Sequence, residues 1–378
     1  MGAGIIQTLL SAGCEVRFKE VNQQLVEQCL QKVERIFQSL KKRGAVSEDE
    51  IGRRMNAVKG STDYVIFSDA DIVIEAVPEN MEIKGEVFRL LDQVSKPEAI
   101  LASNTSSLSI SALGGMTERP GKVIGMHWFN PPHIMKLIEI VPGMETDQKT
   151  IDVLMEFCRR LSKIPIQVKE CAGFLVNRLL GIYVNEALYL VREGNTPSSI
   201  DLSAESLGIP MGPLKLGDMV GWDVIYHANT TLYEEYGNRF AIPSLLEEIY
   251  NAKRWGAKTG QGVYRYEQGR MVEDIKTGVE GAGSVALRLI SVMLNEGIRC
   301  LDEQVASLKN VDTAMKVGAG MPKGPLEWAD EMGLDQLLDS LTSFRGKYGE
   351  RFLPSPLLKR KVAAGHLGKK KGSGFYRY

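Results

Sequence analysis

The segment Gly121-Lys122-Val123-Ile124-Gly125-Met126-His127-Trp128-Phe129-Asn130-Pro131-Pro132 opens as a short β-like run and breaks at a pair of prolines. It brings a histidine, one of only four in the chain, to the end of a strand. The carboxyl end of a strand is where an open α/β sheet presents its reactive groups. Twelve residues after the histidine comes Glu139, within the apolar segment Met135-Lys136-Leu137-Ile138-Glu139-Ile140-Val141. An imidazole with a carboxylate in reach is the simplest device for moving a proton near neutral pH. Taken alone, His127 also reads as a core histidine bonded to a backbone carbonyl.

Working outward, Glu15 to Glu20 is a short strand candidate, and Asn22 to Leu40 carries helical periodicity with an asparagine at its start. Asp71 to Val77 is a buried strand closed by Pro78, Met81 to Val94 a helix, and Ala99 to Ala102 a further strand. That strand leads into the polar loop Ser103-Asn104-Thr105-Ser106-Ser107, and Ile164 to Val168 is the last β run. Strands separated by helices predict a parallel, doubly wound α/β sheet.

From Gly173 the chain is mostly helical and repeats itself. Gly208 to Leu214 recurs as Gly320 to Leu326, Gly221-Trp222-Asp223 as Gly333-Leu334-Asp335, and Lys258 to Tyr266 as Lys370 to Tyr378, all at an offset of 112 residues. Asn185-Glu186 recurs as Asn295-Glu296 at 110. Three motifs at one offset mark a duplicated helical domain of about 95 residues. The expected organisation is a sheet domain over 1–170, a helical domain over 171–268 and its duplicate over 281–378, joined by the Gly- and charge-rich linker Gln268 to Gly283.

The chain of 378 residues is 44% hydrophobic and 25% charged, as expected of an ordinary globular protein of two or three domains. Its net charge of −1 provides no global field for nucleic acid or an anionic membrane, so an anionic ligand is held by local charges. The apolar runs are too short and interrupted to span a bilayer, and no signal peptide or peroxisomal address is expected. Cys14, Cys29, Cys158, Cys171 and Cys300 are scattered without C-x-x-C spacing, which reads as free thiols in a reducing cytoplasm with no metal site.

The combined pattern of Asn104-Thr105-Ser106-Ser107-Leu108, the His127 segment, Met135 to Glu139 and Gly173-Phe174-Leu175-Val176-Asn177-Arg178 resembles the 3-hydroxyacyl-CoA dehydrogenase family along essentially the whole chain. The serine stands 21 residues before the histidine and the asparagine 38 after the glutamate. The resemblance implies a Rossmann-like NAD-binding domain followed by two homologous all-α domains. It also implies oxidation of an L-3-hydroxyacyl-CoA to the 3-ketoacyl-CoA in fatty-acid β-oxidation or a related acyl-CoA pathway. In it His127 is the base, Glu139 orients the imidazole, Ser106 donates to the C3 oxygen, Asn177 holds substrate oxygen and Asn130 positions substrate or nicotinamide. Outside that context Ser106 reads as a helix cap for Leu108 to Leu113, and Asn177 as a helix-interior polar residue packed between domains.

A dinucleotide site needs a strand, a glycine-rich turn and a helix N-terminus. Met1-Gly2-Ala3-Gly4 resembles the end of the family's glycine pattern, with Gly2 in the third place to allow close helix–strand packing. The first strand and first two glycines are expected to be missing, as in an N-terminally truncated member, and NAD binding to be weakened. Glu20 stands at the end of the second strand, where a carboxylate binds ribose hydroxyls and favours NAD over NADP, a preference softened by Lys19. By resemblance Glu79, Lys84, Asn104, Ser106 and Lys258 also line the cofactor; by themselves Glu79 and Lys84 read as an exposed helix start and Lys258 as a turn residue. Lys41 and Lys42, with Arg43, either meet CoA phosphates or form a solvated charge run.

No hydratase activity is expected. Other readings are a dehydrogenase of small 3-hydroxy acids, of the gulonate type, and a cofactor-deficient binding or structural homologue. The expected state is a monomer in which the duplicated domains pair within the chain, with other β-oxidation enzymes as candidate partners. Aligning Asn295-Glu296 with Asn185-Glu186 sets Leu287 opposite Asn177, so the second copy lacks that ligand.

Overall fold

A computed structural model describes residues 1–272 and 282–378, which form two compact units, Met1–Glu170 and Cys171–Tyr378. The first unit begins with α1 (Gly2–Ser11), β1 (Val16–Lys19), α2 (Gln23–Lys42), α3 (Glu48–Asn56) and β2 (Val58–Ser61). It continues through β3 (Ile72–Glu75), α4 (Met81–Val94), β4 (Ile100–Ser103) and α5 (Ile110–Gly114). It ends with β5 (Val123–Trp128), β6 (Leu137–Pro142), α6 (Gln148–Arg160) and β7 (Ile164–Gln167).

Local chemistry sets these elements. Asn22 caps α2 by accepting from the Leu25 amide, and Val26, Cys29, Val33 and Phe37 form the buried stripe below it. Helix α3 and strand β2 have no counterpart among the sequence expectations. α3 buries only Ile51 and is defined by its Ser47–Glu50 capping box, a signal weaker than an apolar stripe.

Strands β3 to β7 form one sheet in sequential order, with β3, β4 and β5 parallel. β6 runs antiparallel to β5, a departure from the all-parallel expectation. The reason lies in residues 129–136, too few for the dozen or more that a parallel crossover requires. α6 supplies such a crossover to β7, which returns parallel to β6.

β1 and β2 form a separate parallel ladder, and β1 and β3 are not hydrogen-bonded to each other. α1 serves both layers: Ile5 packs with Ile100, Met126 and Ile140, while Ile6 and Leu10 pack with Phe18, Val33 and Phe37.

The second unit contains α7 (Val176–Arg192), α8 (Pro197–Glu205), α9 (Pro213–Val220), α10 (Trp222–Tyr236) and α11 (Ser244–Asn251). A hairpin of β8 (Arg265–Glu267) and β9 (Arg270–Val272) follows, at the start of the expected linker. The rest of that linker up to residue 281, and with it the expected domain start, lies outside the described residues. Five further helices repeat the first five: α12 (Ala282–Asp302), α13 (Leu308–Gly318), α14 (Pro325–Met332), α15 (Leu334–Tyr348) and α16 (Pro356–Ala363).

The two copies pack into one unit, with α12 against α7 and α8. On α12, Val285, Leu289, Val292, Met293 and Leu294 are all buried, as befits an interior helix. The contact is reciprocal. Arg178 of the first copy binds Glu296 and Glu303 of the second, and Arg288 of the second binds Glu186 and Glu193 of the first. Such exchange of the same partners is the mark of an isologous, two-fold interface. Each copy also buries an aspartate at one place: Asp201 accepts from the Leu214 and Lys215 amides and the Tyr264 hydroxyl, Asp312 from the Leu326 and Glu327 amides and the Tyr376 hydroxyl. All five cysteines are free thiols, with Cys29, Cys158 and Cys300 buried.

Candidate active site

β5 and β6 place His127 and Glu139 directly opposite each other in the antiparallel ladder. Side chains opposite one another point to the same face and lie close enough to interact. His127 Nδ1 sits 2.6 Å from Glu139 Oε2, and the glutamate is fully buried. A carboxylate oxygen only accepts, so with Glu139 ionised the contact places a proton on Nδ1 and leaves Nε2 as the nitrogen open to exchange. The imidazole also packs against the Phe129 ring, with centroids 4.6 Å apart.

The loop after His127 is pinned from two sides. Lys163, buried, donates to the Pro132 carbonyl at 2.6 Å and to the Met135 carbonyl at 2.7 Å. Burial pulls its pKa below the ordinary lysine value. The sequence reading missed Lys163, whose only signal is a lysine at the mouth of an apolar strand. From the other side, a Cβ on Gly4 would come within 2.7 Å of Pro132 Cγ. Close packing therefore belongs to Gly4; a Cβ on Gly2, the residue expected to serve it, would meet nothing within 4 Å.

The polar loop after β4 reaches the same edge of the sheet, since Ser103 pairs with Gly125 two residues before His127. Asn104 Oδ1 accepts from the Trp128 amide at 2.9 Å and so ties this loop to the end of β5. Glu79 organises the rest. Its Oε1 accepts from the Thr105 hydroxyl at 2.6 Å, from the Ser106 and Ser107 amides at 2.8 and 3.2 Å, and from both serine hydroxyls. Burial works to raise the Glu79 pKa, but the Thr105 hydroxyl and the Lys84 charge prevail and hold it below the usual value. Ser106 is not the cap of the following helix; Ser109 is, accepting from the Ala112 amide.

Lys84, expected to line the cofactor, has partners within the protein. It is buried, donating to Glu75 Oε1 at 2.7 Å and the Val77 carbonyl at 3.2 Å, with Glu79 Oε2 at 3.3 Å. Glu75 itself accepts from the Ser103 hydroxyl and the Val77 amide. Lys84 thus supports the loop from beneath. A carboxylate inside the apolar strand 71–77 was the signal available, because a buried charge demands a partner.

Glu20 follows β1, its amide bonded to the Ser61 carbonyl. Lys19 turns onto the Tyr64 ring, 4.4 Å from its centroid. Lys41 pairs with Glu48 at 2.7 Å, and no pair is made by Lys42 among the described residues. Asn130 is exposed just beyond β5. In the second unit, Asn177 stands half-buried in the first turn of α7, beside the buried Arg178. Lys258, expected at the cofactor, binds Asp223, and its repeat Lys370 binds Asp335 in the same way. Among the described residues no group of three His, Cys, Asp or Glu side chains is arranged to hold a metal ion.

An acid–base pair at the carboxyl edge of a doubly wound sheet is the arrangement of a dinucleotide-dependent oxidoreductase. The model of the 3-hydroxyacyl-CoA dehydrogenase NAD-binding domain matches residues 1–171, and that of the family's C-terminal domain matches residues 173–266 and again 283–378. The chain belongs to the 3-hydroxyacyl-CoA dehydrogenase family, with its NAD-binding domain followed by two C-terminal domains. It is 35% identical to the fatty acid oxidation complex subunit alpha of Shewanella amazonensis, over 97% of this chain and 54% of that one. The chain thus spans about half the length of the curated relatives it matches. Among solved structures, 3-hydroxybutyryl-CoA dehydrogenase from Escherichia coli aligns with a TM-score of 0.89 at 26% identity, covering 96% of each chain. (S)-3-hydroxybutyryl-CoA dehydrogenase from Ralstonia eutropha aligns at 0.70 and 35% identity, covering 71% of this chain and 96% of that one.

Proposed function

We propose that this protein is an NAD-dependent L-3-hydroxyacyl-CoA dehydrogenase that oxidises the C3 alcohol of an acyl-CoA to the ketone. The observation that carries this reading is the His127–Glu139 pair, fixed by strand register inside the family's NAD-binding domain. Nε2 of His127 takes the hydroxyl proton, while Glu139 holds the Nδ1–H and offsets the charge of the imidazolium. Ser106 donates a hydrogen bond to the C3 oxygen, Asn177 holds a substrate oxygen, and Asn130 positions substrate or nicotinamide.

The residues present fit a dinucleotide: open space surrounds Gly2 at the α1 N-terminus, and Glu20 and Asn104 follow the carboxyl ends of β1 and β4. Glu20 accepts from the ribose hydroxyls, and Glu79 shapes the loop that carries Ser106. NAD, when bound, accepts the hydride leaving C3. Lys42, with Lys41 beside it, faces the CoA phosphates in this reading.

The same proposal includes a cytoplasmic location and a monomer held together by the paired copies; among the described residues no helix is long and apolar enough to cross a membrane. The test is NADH formation with 3-hydroxybutyryl-CoA, free 3-hydroxybutyrate and gulonate, on the parent and on His127→Gln. The CoA ester should be the preferred substrate, and the variant should lose about 10²- to 10⁴-fold in rate. Preference for a free acid overturns the substrate assignment, and a variant keeping more than about a tenth of the rate removes His127 from proton transfer.

A further inference from the structure

We infer that the second helical copy positions the substrate ligand of the first: Glu296 and Glu303 clamp Arg178, and through it fix Asn177 in the first turn of α7. This rests on the reading of Asn177 as a substrate ligand. The need for a clamp is local. α7 is entered through Gly173 and Phe174, both with positive φ (70° and 49°), and Leu175 at its N-cap offers no side-chain acceptor. Arg178, fully buried, carries the anchoring contacts one residue beyond Asn177.

Every nitrogen of its guanidinium is engaged. Nε donates to Glu296 Oε1 at 2.7 Å, Nη2 to Glu303 Oε2 at 2.6 Å and Nη1 to the Tyr236 hydroxyl at 3.1 Å. The group also lies over the Tyr236 ring, 4.3 Å from its centroid. A planar fork held at all three corners leaves its backbone little freedom. Two of the three corners come from α12 and the turn that follows it, so the second copy completes the anchor.

The repeat supplies its own control. Arg288 binds Glu186, gives both Nη atoms to Glu193 and lies over the Tyr348 ring at 3.6 Å, the counterpart of the same clamp with the ring contact but no bond to the tyrosine hydroxyl. The residue before it is Leu287, which offers no hydrogen bond to a substrate. The two clamps share a structural task, and only one stands next to a ligand.

The experiment compares Glu303→Gln with its mirror Glu193→Gln in the full chain, alongside Asn177→Ala and Glu303→Asp. Thermal unfolding and the kcat and KM for 3-hydroxybutyryl-CoA are measured, with NADH affinity read separately by fluorescence. Both Gln variants should lose similar thermal stability and keep NADH affinity. Only Glu303→Gln should lower kcat/KM, by roughly tenfold or more, as expected for a misplaced substrate contact. Glu303→Asp, which keeps the charge, should recover part of the loss. If Glu303→Gln does not fold, Tyr236→Phe, which removes the Nη1 bond and keeps the ring, is read in the same way against the parent. Identical kinetics in the mirror pair overturn the positioning role. An unchanged kcat/KM in Asn177→Ala overturns the substrate-ligand reading, and the proposal with it.

Discussion

Replacing Glu139 by Gln removes one negative charge from a site that water does not reach, and changes the side-chain volume little. No cation is left unpaired when the imidazole is in the neutral form that a general base requires, so the fold should survive. The imidazolium formed during oxidation loses its counter-charge. With Nδ1 and Oε2 2.6 Å apart, the charge centres stand about 4 Å apart, worth roughly 4 kcal/mol at an effective dielectric constant near 20. That corresponds to a fall of about 10³-fold in kcat. The amide can also turn its NH₂ toward Nδ1, which puts the proton on Nε2 and disables the base; this adds to the loss. Initial rates of NADH formation with 3-hydroxybutyryl-CoA measure it, and KM should move far less than kcat. A Glu139→Gln enzyme within tenfold of the parent kcat would refute the argument that the buried carboxylate stabilises the cation.

Lys84→Met leaves the Glu75 carboxylate buried without its cation and should destabilise the first unit by roughly 3–5 kcal/mol, while Lys84→Met with Glu75→Gln recovers most of it; calorimetry decides, and weaker NADH binding at unchanged stability would instead make Lys84 a ligand. Burial raises the pKa of Asp201 and of Asp312 from 3.8 to about 6 against the pull of their hydrogen bonds. A raised folded pKa stabilises below the unfolded value and is lost as pH rises through the folded one, so each of these carboxyls should lower the unfolding free energy between pH 4 and 7 by about 3 kcal/mol; a parent whose stability relative to Asp201→Asn and Asp312→Asn rises over that window contradicts the assignment. Deleting residues 281–378 uncovers the apolar face of α7 and leaves Arg178 and Glu186 without their partners, so the shortened protein should aggregate or dimerise. A well-behaved monomer in light scattering would show that the pairing is dispensable.

Much of the first unit was legible because its strands are apolar runs ended by proline or polar loops, as at Pro78 and Ser103. The acid–base pair was legible from motif spacing, but its register was not, since the antiparallel return of β6 depends on the length of loop 129–136. Charged, weakly periodic stretches such as Glu48 to Asn56 hid a helix that only its caps announce. The protein partners of Lys84 and Lys258, Glu75 and Asp223, were not legible because tertiary packing brings them together. The reciprocal clamp was available in the repeat itself: Arg178 and Arg288, Glu186 and Glu296, and Glu193 and Glu303 all stand 110 apart. Only one of those pairs was read.

The fused two-fold has a consequence for how such a protein changes over time. In a dimer of identical chains every substitution at the interface strikes twice, and each half must remain fit to face a copy of itself. Joining the halves abolishes that constraint and supplies the partner at an effective concentration on the order of millimolar, whatever the amount of protein in the cell. Each side can then drift on its own. The two copies already differ: Met219 and Val224 of the first are exposed where the second carries Glu331 and Gln336, and leucine stands beside Arg288 where asparagine stands beside Arg178. One half is free to specialise in chemistry while the other holds it in shape.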